Sequence, residues 1–377
     1  MTLLPPPAKR APAADRPLCD QPLVPERALP LGLDPARERL IRYLDKKWVN
    51  GTVLHYYLFD RDSDGRHVRF TDGSSRFMPW KGAEAQVQAV MNAFDTWKGL
   101  GIGLRFARVM QREEAELRIA FEDQDGSWSY VGRDNVDLAH LANPNERTMN
   151  FGWDLTTEYG RDTALHEIGH ALGFPHEHQN PNAGIEWDEA EVYRWAERTQ
   201  GWDRDTTFRN ILRKLPAHTV EGSLWDPNSI MHYGFPAGLI RMPERYQREP
   251  LRPEPHLSEI DKQEVLALYP SMEEAKERVI EPFVSQRLDL AAGQQADFVI
   301  RPSETRQYTL QTFGPSDAVM VIFEERGGEP RYLSADDDSG TELNAKLDVR
   351  LTLGSTYRVR IRVYSARSSG GLAVMMW

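Results

Sequence analysis

The chain has a single cysteine, Cys19, among 377 residues. One thiol excludes an internal disulfide framework and leaves the redox compartment open. Long apolar runs are missing: none approaches the roughly 18 residues that a membrane helix needs, so no membrane span is expected. The N-terminal run Met1-Thr2-Leu3-Leu4-Pro5-Pro6-Pro7 breaks up before the apolar stretch of a signal peptide can form. The expectation is a protein that is not exported by the ordinary route, or one whose signal was removed. Clustered basic charge is scarce as well. With 46 Lys and Arg against 57 Asp and Glu, the formal net charge is -11, which argues against a broad nucleic-acid surface. No internal repeat is visible, and a monomer is expected.

What is present suffices for real cores. Forty per cent of the residues are apolar, and the length suggests two domains with an extra arm. Residues 1 to about 34 are rich in Pro, Ala and Arg without period and read as a weakly structured arm. Asp34-Pro35 opens a short helical pattern through Ile41 and Leu44. Thr52 to Phe59 reads as a strand by its β-branched and aromatic content. Helical spacing of Val87, Val90, Met91, Phe94 and Trp97 predicts a helix over residues 83–97. Strands follow at 104–109, 116–121 and 148–153, then a helix from Thr156 or Thr157, with Thr as its cap, to about Leu172. Ser258 and Asp261 form an approximate capping box for a last helix that stops at Tyr269-Pro270. Residues 271–282 are charged and read as a linker. From 283 onward short alternating strands separated by turns predict an all-β sandwich. The expected organisation is an arm at 1–44, a mixed α+β domain at 45–270, the linker, and the sandwich at 283–377.

The decisive stretch is His166-Glu167-Ile168-Gly169-His170-Ala171-Leu172-Gly173-Phe174-Pro175-His176. Positions i and i+4 of a helix share a face, so His166 and His170 can direct their imidazoles at one metal. Neutral imidazole suits zinc, which prefers tetrahedral coordination. Gly173 is where the helix should end, because glycine tolerates the left-handed cap. The turn can then deliver His176 as a third ligand. Three protein ligands leave one position open, the arrangement of a catalytic rather than a structural site. Glu167 need not bind the metal and can act as general base towards a water.

His166 through His176 matches the extended zinc signature of the metzincin metallopeptidases. Ser229-Ile230-Met231-His232-Tyr233 resembles the Met-turn of that clan, whose methionine, here Met231, lies as an apolar floor beneath the metal. Glu177 and the Met-His-Tyr at the turn are similar to astacins and their bacterial relatives. Asp125 to Gly132 resembles the segment after the third sheet strand, and Leu257 to Tyr269 the closing helix, so the resemblance covers roughly residues 45–270. It implies a metzincin fold, one catalytic Zn2+, a protein or peptide substrate, and secretion. It also implies that Tyr233 serves as an extra zinc ligand at rest and as a hydrogen-bond donor to the oxyanion during reaction. Two features depart from the animal members: the lack of paired cysteines, and the run His178-Gln179-Asn180-Pro181. Both point to a microbial branch, whose substrate preference does not carry over.

Arg16-Pro17-Leu18-Cys19-Asp20 is similar to the cysteine switch of metzincin zymogens, which makes Cys19 a candidate inhibitory zinc ligand; the competing reading is an incidental thiol in a flexible arm. Asp60-Arg61-Asp62-Ser63-Asp64-Gly65 resembles the start of a Ca2+ loop, but Thr71 stands where the closing Glu belongs, so a solvated turn is expected. Asp336-Asp337-Asp338 is a similar case, expected to be an acidic turn, with Ca2+ binding as the other reading. The region from 283 resembles the bacterial prepeptidase C-terminal domain, through Tyr308-Thr309-Leu310, Asp336 to Gly340 and Gly354 to Arg360. Within it Arg358, Arg360 and Arg362 alternate with apolar residues and are expected to make a solvated basic face, with an anionic polymer as the other reading. The strand ending near Asn150-Phe151-Gly152 could be an edge that pairs with an extended peptide. The function expected is zinc-dependent endopeptidase action. The alternatives are a catalytically silent binding or adhesion protein, against which the intact Glu167 argues, and a zinc amidase acting on cell-wall peptides.

Overall fold

The computed structural model describes residues 16–24, 46–48, 50–70, 72–123, 125–138, 143–215, 225–271, 278–341, 343–364 and 369–377. The helix expected at 34–44 and half of the expected linker, residues 272–277, lie outside the described residues. The chain forms two compact units. One takes residues up to Trp48, then Leu54–Trp97 and Ala107–Lys262; the other takes Val49–Val53, Lys98–Phe106 and Gln263–Trp377.

In the first unit the strands are β1 (Val53–Leu58), the hairpin β2 (Gly65–Arg69) and β3 (Ser75–Pro79), then β4 (Arg105–Arg108), β5 (Leu117–Ala120), β6 (Trp128–Ser129), β7 (Met149–Asn150), β8 (Glu186–Trp187) and β9 (Ile240–Met242). The five-stranded sheet has the order β4-β1-β5-β7-β6. The β1–β5 and β5–β7 pairs are parallel, and β6 runs antiparallel to β7. A strand flanked by neighbours and covered on both faces reads as a continuous apolar run, and every residue of β1 is buried. Helix α1 (Glu84–Gly99) buries Val90, Phe94 and Trp97 of the predicted stripe and leaves Val87 and Met91 half-buried. Phe94 stacks on Tyr56 with ring centroids 4.3 Å apart, and the Trp97 indole donates to the Leu165 carbonyl at 3.2 Å. That bond ties α1 to the helix carrying the histidines.

Two expectations change here. The edge on this side of the sheet is β6, not the strand ending at Asn150, because β6 adds itself outside β7. A helix over Glu189–Gln200 also went unread in the sequence, although Val192, Trp195 and Ala196 are buried at helical spacing and Asp188 caps it by accepting from the Glu191 amide. The turn at Asp60–Gly65 answers its charges with protein cations: Arg112 reaches Asp64 at 2.9 Å and Lys81 reaches Asp62 at 2.8 Å.

The second unit is built on strands β10 (Arg278–Val279), β11 (Gln286–Leu290), β12 (Gln295–Ile300), β13 (Arg306–Phe313), β14 (Ala318–Arg326), β15 (Glu329–Asp336), β16 (Lys346–Leu351), β17 (Tyr357–Val363) and β18 (Gly370–Met376). They form two sheets, β10-β12-β17-β14-β15 and β11-β18-β13-β16, the all-β region expected. Leu310, Ile322, Val359, Ile361 and Val374 lie in the core between them. The basic face of β17 is only partly solvated, short of the expectation. Arg360 is buried and pairs with Asp297 at 3.0 Å, and Arg358 pairs with Glu325. Gly51, which belongs to this unit, packs against the Arg360 guanidinium. A buried guanidinium needs a carboxylate partner, which Asp297 supplies. The Asp336 turn is closed locally, with the amides of Ser339 and Lys346 donating to its carboxylate at 2.9 and 2.7 Å.

Candidate metal centre

Helix α2 (Glu158–Ala171) begins where the Thr157 hydroxyl accepts from the Gly160 amide at 3.0 Å. It ends in a Schellman motif: the Phe174 amide donates to the Gly169 carbonyl, the Gly173 amide to the His170 carbonyl, and Gly173 has φ +103°. Gly173 therefore reverses the chain as its sequence position predicts. Pro175 follows, and His176 is buried beside His166 and His170. The candidate ligand atoms of Cys19, His166, His170 and His176 all lie within 4.8 Å of one another.

The donor set fits a zinc ion. A backbone carbonyl can only accept, so the 2.7 Å contacts from His166 Nδ1 to the Ile230 carbonyl and from His170 Nδ1 to the Phe174 carbonyl place a proton on each Nδ1. Each Nε2 then presents a lone pair to the centre. His166 Nε2, His176 Nδ1 and Glu167 Oε1 are buried without a hydrogen-bond partner, a costly state for polar atoms in an apolar setting. The Nε2 atoms of His170 and His176 face each other at 3.1 Å. Burial pushes His166 down to about 4, and burial plus the neighbouring imidazoles holds His170 and His176 well below the usual histidine range. All three are thus neutral and able to ligate a cation. Burial raises Glu167 to about 8, against the pull of a hydrogen bond from the Cys19 thiol. A dication held at the centre would favour the ionised carboxylate.

The floor of the centre is specified by Met231, Gly169 and Asp261. A Cβ on Gly169 would sit 2.5 Å from Met231 Sδ, so the missing side chain is what lets Met231 lie under the helix. Asp261 accepts from the Ser229 hydroxyl at 2.6 Å and the Ile230 amide at 2.8 Å, and also closes the reciprocal capping box with Ser258 at the start of helix α4, whose residues are Glu259–Leu268. The capping box is legible in the sequence; its second duty, pinning the turn, is not. Helix α3 (Glu189–Gln200) lies between α2 and α4 along the chain.

Residues 16–21 run through the cleft, which corrects the reading of this stretch as a weakly structured arm. The Cys19 thiol lies 3.6 Å from Glu167 Oε2, and the Tyr233 hydroxyl donates to the Cys19 carbonyl at 2.6 Å. The Gln200 side-chain amide brackets Pro17, accepting from the Leu18 amide at 2.9 Å and donating to the Arg16 carbonyl at 3.3 Å. The Tyr159 hydroxyl donates to the Pro17 carbonyl. Asp20 donates from its amide to the Ser127 carbonyl next to β6 at 3.2 Å and accepts from Asn210 at 2.7 Å. Tyr159, Gln200 and Asn210 carry no sequence signal that foretells these bonds.

Gly132 closes the other side of the centre. Its amide donates to the His170 carbonyl at 2.8 Å, its φ is +51°, and a Cβ there would overlap the Lys46 carbonyl. Gly132→Ala is expected to destabilise this unit by about 3 kcal/mol, combining backbone strain with overpacking. Thermal unfolding followed by tryptophan fluorescence checks this; an unchanged midpoint would show that the Lys46 segment yields freely.

Comparison with known proteins agrees with this geometry. Residues 78–239 match the peptidase family described as Astacin. The chain is 32% identical over 122 residues to a zinc metalloproteinase dpy-31 of Brugia malayi, a match spanning 32% of this chain and 17% of that relative. Myroilysin has 27% sequence identity in a structural match covering 60% of this chain and 97% of its own, with a TM-score of 0.50. The first unit contains an astacin-like metzincin domain. Zinc is the metal that this family implies. The pre-peptidase C-terminal domain of a Bacillus anthracis collagenase aligns over 28% of this chain and 99% of its own at 9% identity and a TM-score of 0.23, too low to assign the sandwich. Among the described residues no helix is long and apolar enough to cross a membrane.

Proposed function

We propose that the astacin-like domain is a zinc endopeptidase, held latent by residues 16–21 and acting on proteins or peptides outside the cell. The observation that carries this reading is a peptide already lying in the cleft, with a backbone carbonyl under the Tyr233 hydroxyl and beside a buried Glu167. His166, His170 and His176 would hold the metal. Bound zinc supplies Lewis-acid polarisation of a carbonyl and acidifies water. Glu167, fully buried and free on Oε1, takes a proton from the attacking water and returns it to the leaving amine. Tyr233 keeps its proton because burial holds its pKa well up, so it donates a hydrogen bond to the carbonyl oxygen as charge develops there. Cys19 blocks the same centre with its sulfur, beside the three imidazoles. The domain limits 45–270 and 283–377 belong to this proposal, as does a prepeptidase-type role for the sandwich.

Digestion of a peptide library by the thiol-unblocked chain, with zinc and with chelator, tests the activity. Zinc-dependent internal cleavage is expected; cleavage restricted to cell-wall peptides would favour the amidase. Metal content tests the ligands. His170→Ala removes the central donor of the three, and zinc affinity is expected to fall by about a hundredfold or more. Unchanged affinity in equilibrium dialysis would remove His170 from the site.

A further inference from the structure

A pocket of about 470 Å³ opens beside His166 and Glu167, with the exposed Arg16 as part of its wall. Tyr159, Asp162, Thr163 and His166 share one face of α2 by helical spacing, so the pocket continues the metal centre along the helix. Trp153 backs Tyr159 in a stack, with centroids 6.2 Å apart at 14°. The Arg16 guanidinium carbon sits 4.7 Å from the centroid of the Tyr159 ring. Asp162 is 14% exposed. One of its oxygens accepts from the His256 amide at 3.0 Å, with the His256 imidazole 3.4 Å away; the other has no partner among the described residues. Burial raises the Asp162 pKa, while His256 and Arg16 draw it down and Glu158 adds to the rise. The two charges at the mouth, Arg252 and Glu254, are exposed and opposite in sign.

An aromatic face beside a partly desolvated carboxylate is a receptor for a flat cation, since the guanidinium can stack and pair at once. We propose that Tyr159 and Asp162 form a specificity subsite for a basic substrate side chain, arginine above lysine, close to the scissile bond, and that Arg16, which stacks on Tyr159 without pairing with Asp162, covers its aromatic side in the uncleaved chain. This rests on the peptidase reading for its role in cleavage. The subsite itself is a binding site and can be tested without activity.

The test has two arms on full-length, zinc-loaded protein. In the first, calorimetry measures binding of agmatine, a free guanidinium probe. Arg16→Ala, which uncovers the Tyr159 ring, is expected to bind it saturably. Wild type is expected to bind at least about tenfold more weakly, and so is Arg16→Ala combined with Asp162→Asn. In the second arm, thiol-unblocked protein cleaves a peptide library. Peptides with one arginine near the cleaved bond should exceed their norleucine counterparts in kcat/KM by about 30-fold or more. Asp162→Asn should collapse that ratio to within about threefold, and Asp162→Glu should keep most of it. Cleavage with no basic preference, or agmatine binding that ignores Asp162, overturns the subsite and leaves the peptidase reading standing. Asp162-dependent agmatine binding without cleavage of any peptide supports the subsite and overturns the peptidase reading.

Discussion

Glu167→Gln is expected to keep its zinc and to lose peptide hydrolysis by about three orders of magnitude or more. The side chain is wholly buried in the turn of helix that also carries His166, and none of the three imidazoles leans on it. The amide fills the same space, so the fold and the metal site should survive. What it cannot do is accept a proton from water and hand it on. Zinc analysis alongside turnover of a quenched peptide decides the matter. Near wild-type turnover at full zinc would remove Glu167 from the chemistry; loss of both zinc and activity would mean that the carboxylate is needed to build the site.

The second large effect concerns latency. The full-length chain is expected to be nearly inactive, and cleavage between Cys19 and about residue 45, or a thiol-reactive mercurial, should release activity. Removing the thiol alone should act only in part. Residues 16–20 are held through Gln200, Tyr159, Tyr233, Asn210 and the Ser127 carbonyl as well as through sulfur, and a tethered segment competes at a high effective concentration. Cys19→Ser is therefore expected to raise activity by about tenfold or more while remaining below the cleaved enzyme. Equal activity of wild type and Cys19→Ser before cleavage, with no response to mercurial, would leave Cys19 an idle thiol.

The sequence carried the zinc helix almost completely, because every feature of it is local. Histidines four apart, a threonine cap and a glycine stop depend only on residues within a few turns, and each appears in the structure where its chemistry requires. The sandwich strands were legible for the same reason, since Tyr308, Leu310, Val359 and Ile361 alternate with polar neighbours. What escaped is long-range. Nothing local shows that Asp261 pins a turn some thirty residues earlier, that Gln200 brackets Pro17, or that Gly51 packs against Arg360. The edge strand was misplaced because β6 has only two residues, too few to show any period. Cys19 stood out through chemistry alone; geometry supplied its neighbours.

The double duty of Asp261 links two equilibria. The same carboxylate caps the last helix and fastens the loop whose Ile230 carbonyl orients His166. Fraying at that helix end therefore releases the first imidazole to rotate. By linkage, the free energy with which zinc steadies the helix end equals the free energy with which an intact helix end steadies zinc. Metal retention in this protein is thus set partly by a stretch of chain that never touches the metal.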